Sequence, residues 1–382
     1  MPIRLTHVVD EHTPTDALRQ LALLQAIPAD RVEQRIVTVG PRPVLLDALC
    51  GSGTGRTRAG TQIGRCAKLQ LNPLNHGWEV FAGHPPHVLH AWGASAGTIV
   101  RNVRPAGTPV VLTLTDPAEI GDVCRWWPLE ADVGSHRQGT VVCASQFVLD
   151  RIVAFGVPRA AAAWIRPGVD LHERPQPRPP LRRADLDLPD DARVLLTASP
   201  PTRAGGQFFA VWAAAILFQV WPHVRLIVPG RSRERDRIRR LIDSIYCPQI
   251  YHLVEDTPTP ADLLALADLL VAPAVADVPT AWVAAAMAAG VPVVASTVPS
   301  LAEIVRDEQT GFTCPPAEPH SLAIRIRQAV EDPQRLQRCV AAARQWAAAE
   351  CHPDRCRHAH AALYDRLAAR PDAPLAVESH SR

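Results

Sequence analysis

ADLLVAPAVADVPTAWVAAAMAAGVPVVAS, residues 267–296, reads as strand, loop, helix and strand in turn. DLLVAPA (268–274) is a short apolar run suited to a buried strand, and residues 280–289 make an apolar helical stretch. Gly290 is placed to end that helix, since glycine accepts the left-handed conformation of a helix C-terminus. VPVVAS (291–296) then resumes as a strand. Continuous apolar strands alternating with helices belong to parallel sheets covered on both faces. From 276 to 296 the one charged side chain is Asp277. It stands close to Pro279 at the helix start, so it reads either as a cap for N–H groups or as a ligand contact.

The alternation extends in both directions from this stretch. Upstream come a strand RVLLTAS (193–199), a helix near 207–219 and a strand VRLIVPG (224–230). An arginine-rich helix (233–245), a strand near 250–254 and a helix PADLLALA (260–267) follow. A first set precedes them: strands at 3–9, 35–39, 87–92, 109–114 and 140–145, with helices at 16–27 and 147–156. The two sets predict an α/β protein of two Rossmann-like domains facing across a cleft. The expected division is a first domain over 1–172, a Pro-rich linker over 173–192 and a second domain over 193–350. A C-terminal helix over 351–370 and a polar tail over 371–382 complete it. Residues 51–79 read as glycine-rich and irregular, either a loop or a poorly ordered insertion.

Composition narrows the function. A length of 382 residues suits two domains, and 47% hydrophobic with 20% charged residues describes a globular chain. A net charge of +2 leaves no electrostatic footprint for nucleic acid. Nine scattered cysteines fit free thiols in a reducing cytoplasm better than a disulfide framework. The N-terminus lacks a signal-peptide core, and FFAVWAAAILF (208–218) is too short to span a bilayer. Membrane contact is expected to be peripheral at most.

Three motifs have plain readings. GSGTGRT (51–57) holds Cys50 and Arg56 where a phosphate-binding P-loop needs glycine and lysine, so it reads as a loop. Cys351, His352, Cys356, His358 and His360 match no closed zinc pattern, and the histidines read as solvated side chains on an amphipathic helix. The arginines of 231–240 are interleaved with Glu234 and Asp236, which predicts pairing within the helix. No metal site and no cofactor are expected.

MAAGVPVVAS (287–296), EIVRDEQTGF (303–312), PPAEPHSLA (315–323) and IRPGVD (165–170) occur in order, with fainter matches at HVLHAW (87–92) and VVLTLTD (110–116). Together they resemble the retaining glycosyltransferases of family 4, which have the GT-B fold. The resemblance implies a nucleotide-sugar donor held mainly by the second domain. It implies a glycan, lipid or small-molecule acceptor held by the first, hexosyl transfer with retention, and a C-terminal helix over 351–370 that packs back on the first domain.

This sequence departs from the family's donor-site pattern. The resemblance places the ribose-binding glutamate position at Ala285 and the sugar-binding one at Asp277. The family's diphosphate-binding Arg and Lys positions fall on Ser199 and Ala204, and its Gly-Gly on Pro299-Ser300. The sugar-facing His becomes Thr115, while Asp116 remains. Arg203, beside Gly205-Gly206, is the candidate replacement cation, with Asp277 as the candidate sugar contact. Asp116, Gly205, Ser300 and Glu303 are the remaining cleft-lining candidates. The alternative expectation is a non-catalytic scaffold that binds carbohydrate or a protein partner.

Overall fold

A computed structural model describes residues 1–39, 55–56, 62–66, 85–105, 107–123, 139–171, 181–198, 200–230, 232–254 and 260–369. The chain divides into two units, Met1–Gly168 with Pro353–Arg382, and Val169–His352.

In the first unit, strands β1 (Ile3–Asp10), β2 (Val32–Val39), β3 (Gly55–Arg56), β4 (Gln62–Cys66), β5 (Val88–Trp92), β6 (Val110–Leu114), β7 (Gly139–Cys143) and β8 (Ala162–Trp164) form one sheet. Its order is β3-β4-β2-β1-β5-β6-β7-β8, parallel except for β3 against β4. One face packs helix α1 (Thr15–Leu24) and the C-terminal helix, and the other packs α2 (Ala94–Val103) and α3 (Gln146–Ala154). With both faces covered, β5 and β6 are buried at every position, as their apolar runs require. The segment read as irregular over 51–79 contributes β3 and β4, and the rest of it lies outside the described residues.

The second unit carries β9 (Arg193–Thr197), α4 (Gln207–Phe218), β10 (Val224–Pro229), α5 (Arg235–Ser244), β11 (Tyr251–Val254), α6 (Pro260–Leu264) and β12 (Leu269–Ala272). Then follow α7 (Ala281–Ala289), β13 (Val293–Ser296), α8 (Pro299–Ala302), β14 (Phe312–Cys314), α9 (Pro319–Glu331) and α10 (Pro333–Glu350). Its six strands are all parallel, in the order β11-β10-β9-β12-β13-β14. Helix α7 buries Trp282 through Met287 without a break, which explains why it carries no charge. Gly290 ends it at φ +78°, and Val291 N–H donates to Ala286 O at 2.9 Å.

Two expected boundaries move. The first unit ends at Gly168 rather than at 172. Gln20 grips Gly168 through both its amide groups, at 2.9 and 3.0 Å, whereas Val169 N–H donates to Cys351 O in the second unit. The Pro-rich linker is shorter than its composition suggests. Leu188 and Ala192 are buried in the second unit's core, and Arg183 reaches Asp268 and the carbonyl of Ala192. Residues 173–180 and the tail over 371–382 lie outside the described residues.

Helix α11 (Pro353–Ala369) is part of the first unit. Its inner face, Cys356, His360, Leu363, Tyr364 and Leu367, packs on α1, β1 and β5. His352 and His358 are exposed, but His360 is 2% exposed, so the reading of solvated histidines fails for it. It stacks with His90 and Trp92, and its Nδ1–H donates to Cys356 O. His7 accepts from the Trp92 indole N–H and bonds Gln34, while His90 bonds the Tyr364 and Thr113 hydroxyls. No group of side chains able to hold a metal occurs among the described residues. No helix among them is long and apolar enough to cross a membrane.

Candidate functional site

An open parallel sheet binds ligands beyond the carboxyl ends of its strands, at the point where strand order reverses. In the second unit that point lies between β9 and β12. The loops that follow β9, β12 and β13 converge there and are cross-tied. Ala204 O accepts the N–H of Val275 at 2.8 Å, which joins the β9 loop to the β12 loop. Gly206 takes φ +67° at the head of α4, where an added Cβ would stand 2.0 Å from Pro273 O. No side chain other than hydrogen fits there. Ser296, at the end of β13, donates to the carbonyls of Ala272 and Ala274.

The β9 loop also bonds itself. Thr202 Oγ1 accepts the Gly205 N–H at 2.8 Å. Buried Gln207 accepts from Thr202 N–H and donates to the carbonyls of Ala198 and Pro200. Gly205 is buried against Gln207 and Thr202. Neither Thr202 nor Gln207 was a candidate from sequence. A signal existed for Gln207, the single polar residue heading the otherwise apolar helix QFFAVWAAAILF.

Asp277 and Ser300 are brought together. Asp277 Oδ1 accepts the Ser300 N–H at 2.8 Å, and Ser300 Oγ accepts the Val278 N–H at 3.0 Å. Asp277 therefore serves the start of α8 rather than its own helix α7, whose N-cap residue Thr280 makes no side-chain capping bond. Ser300 is fully buried, and Glu303 is half-buried at the C-terminal end of α8. Position 285, an alanine, is buried inside α7. Pro299 supplies no N–H to the start of α8.

Across 198–206, 273–280 and 297–303 the sequence holds one arginine, Arg203, and no lysine. Arg203 turns toward the start of α5: its Nε–H donates to the N-cap residue Glu234 at 3.0 Å, and its side chain is 84% exposed. That bond, with a further one from Arg237, holds the Glu234 carboxyl below its usual range. Glu234 also pairs with Arg237 one helical turn on, in line with the expected pairing within this helix. Arg235 departs from it, for it is buried and donates to the carbonyls of Gly230 and Leu253. Arg235 thus closes the ends of β10 and β11. An ion pair as exposed as Arg203 with Glu234 is screened by solvent and contributes little, so it does not bar Arg203 from a stronger anion.

Asp116 lies in the first unit, just beyond β6. Its Oδ1 caps the short turn Pro117–Glu119 by accepting the Ala118 N–H at 2.9 Å, and burial pushes its carboxyl up.

Residues 181–346 match the family described as glycosyl transferases group 1. The D-inositol 3-phosphate glycosyltransferase 1 of Catenulispora acidiphila is 33% identical over 212 residues, 52% of this chain. The match spans about half the length of that relative, at 50%. The crystal structure of Anabaena HepE in complex with UDP-glucose superposes with a TM-score of 0.79 at 19% identity, covering 95% of this chain and 100% of that one. The fold is GT-B. A sucrose-phosphate synthase from Thermosynechococcus elongatus shares it, with a TM-score of 0.72 at 18% identity over 96% of this chain and 99% of that one. This GT-B chain is glycosyltransferase-like, and its second unit carries the relationship to the group 1 enzymes.

Proposed function

We propose that the protein is a nucleotide-sugar-dependent glycosyltransferase that moves a hexosyl group, with retention, to a glycan, lipid or small-molecule acceptor. The observation that carries the reading is the three-loop junction at the second unit's switch point, which lies within the family match and has Arg203 on its rim. In the reaction the bond from the anomeric carbon to the diphosphate breaks. The acceptor oxygen then bonds that carbon on the same face and passes its proton to the departing diphosphate. Charge builds on the departing diphosphate, and a positioned cation lowers the barrier by stabilising it. Arg203 takes that role, leaving Glu234 as the donor arrives, and Asp277 meets the sugar while holding Ser300. The buried free thiols of Cys143, Cys247, Cys314, Cys339, Cys351 and Cys356 suit a reducing cytoplasm.

A second reading, a non-catalytic scaffold, draws on the replacements at 285 and 299 and on the Ser300 N–H already held by Asp277. Turnover separates the two. Nucleotide release from UDP-, GDP- and ADP-hexoses is expected to be measurable for at least one donor. Arg203→Ala is expected to lower it about 10-fold or more, the scale of one charge-assisted hydrogen bond of about 1.5–3 kcal/mol. No turnover with any donor supports the scaffold.

A further inference from the structure

Helix α4 carries no charged side chain, and none follows until His223. A helix apolar on every side is expected to be buried all round. One side of α4 obeys: Ala210, Val211, Ala213, Ala214 and Leu217 pack into the second unit's core. At about 3.6 residues per turn the opposite side presents Phe208, Phe209, Trp212, Ala215 and Ile216, none of them fully buried. Trp212, at the middle of this stripe, is 40% exposed, and Val220 just beyond the helix is 56% exposed. A continuous apolar surface on a helix that packs against both α5 and α9 marks a place where something else is bound.

The border of the stripe toward α5 is basic. The Arg237 guanidinium lies over the Phe208 ring, 5.0 Å from its centre, which sets the start of α5 beside the stripe. Arg233, Arg237, Arg239 and Arg240 are exposed along this segment, against exposed Asp236 and Asp243. The third carboxylate, Glu234, is already held by Arg203 and Arg237.

We propose that α4 and the arginines of α5 dock the second unit on an anionic lipid surface. Phe209, Trp212 and Ile216 enter the interfacial layer, where tryptophan is favoured and an apolar helix face sinks about 5–10 Å. Arg233, Arg237 and Arg240 meet lipid phosphates, for which the planar guanidinium is well shaped. The stripe offers hydrogen bonds only from the Trp212 indole and Gln219. A fluid apolar phase needs none, whereas a protein interface carries about one per 100–200 Å². A second copy of the chain is a poorer occupant. The stripe is roughly 18 Å long on a helix about 10 Å wide, well short of the about 800 Å² per partner that a stable dimer buries. None of the docking residues has a part in the transfer chemistry, so the proposal stands apart from that reading.

The test is co-sedimentation of the full chain with vesicles of phosphatidylcholine alone, and of phosphatidylcholine and phosphatidylglycerol in equal parts. Wild type, Trp212→Ala and Arg240→Glu are compared, with sedimentation velocity of each in the absence of lipid. The wild type is expected to bind the mixed vesicles, and to bind them about 10-fold more weakly at about 0.5 M salt than at about 0.05 M. Trp212→Ala is expected to weaken that binding about 10-fold, the scale of withdrawing one large apolar side chain. Alanine is a strong helix former and Trp212 lies outside the core, so the helix is retained. Arg240→Glu, which leaves the stripe intact, is expected to weaken binding to the mixed vesicles about 5-fold and to leave phosphatidylcholine binding unchanged. Failure of the wild type to bind mixed vesicles at low salt overturns the proposal, as does equal binding by all three proteins. A lipid-independent dimer that Trp212→Ala dissociates would overturn it too, by giving the stripe to a second copy.

Discussion

Replacing His360 with leucine is expected to remove about 3 kcal/mol of acid sensitivity from the first unit between pH 6.5 and pH 4. Burial lowers the His360 pKa to about 4, opposed by its bond to Cys356 O, and burial likewise takes His7 to about 4. A histidine whose folded pKa lies below its unfolded value stays neutral in the native state while the unfolded chain takes up the proton. Its stabilisation is complete above pH 6.5, falls as the pH drops toward 4, and levels off below. A shift of this size corresponds to about 3 kcal/mol for each histidine, at 1.36 kcal/mol per pH unit. Glu119 works in the opposite sense. Its raised pKa makes the native state gain stability as the pH falls from about 7 toward its ordinary range, which offsets part of the histidine loss in the wild type. The variant comparison reads the His360 share together with the relief that its removal gives His7 and His90, whose pKa values its charge helps to lower. Native-state hydrogen exchange on the amides of β1 and β5, recorded at pH 6.5 and pH 4, reads the first unit separately from the second. An acid-induced loss equal in wild type and variant would contradict the burial argument.

Gly206→Ala is expected to destabilise the second unit by about 3 kcal/mol or more, combining a left-handed backbone with a collision. The added methyl carbon would stand 2.0 Å from the carbonyl oxygen of Pro273, which is backbone and cannot turn aside. Gly205→Ala makes the control. Its Cβ would meet Gln207 and Thr202 at 2.6–2.9 Å, but these are side-chain ends that can shift. The second substitution is expected to cost about 1 kcal/mol, the centre of the range for single changes. Urea unfolding of both variants measures the difference, and equal midpoints would show that the β9 and β12 loops do not meet as described.

The fold was legible because its physics is local. Buried parallel strands must be short and apolar, so β1, β5, β6, β9, β10, β12 and β13 announce themselves. Strands β8 and β14, with three residues each, are too short for periodicity to register. The prolines and charges of 181–192 hid Leu188 and Ala192, two apolar residues that fold into the second core. His360 could have been placed correctly, since positions 356, 360, 363, 364 and 367 follow one helical face and the rest of that face is apolar or Cys.

The site was less legible, because its contacts are between loops distant in sequence. A cap for Asp277 is visible in the sequence, but the recipient, Ser300 in another helix, is not. Arg203 is identifiable as the cation of the β9 loop, while its partner Glu234 requires the fold. Glu119 gives no signal in sequence at all. Its bond to the Ala94 N–H depends on β5 and β6 ending side by side.

Calorimetric titration of UDP, GDP and ADP into the wild type and Arg203→Ala puts the donor site to its most direct test. Binding of at least one nucleotide at millimolar concentration or below, weakened about 10-fold in the variant, is the expected result. No heat from any of the three in the wild type, or equal affinity in both proteins, would contradict a donor site built on a single arginine.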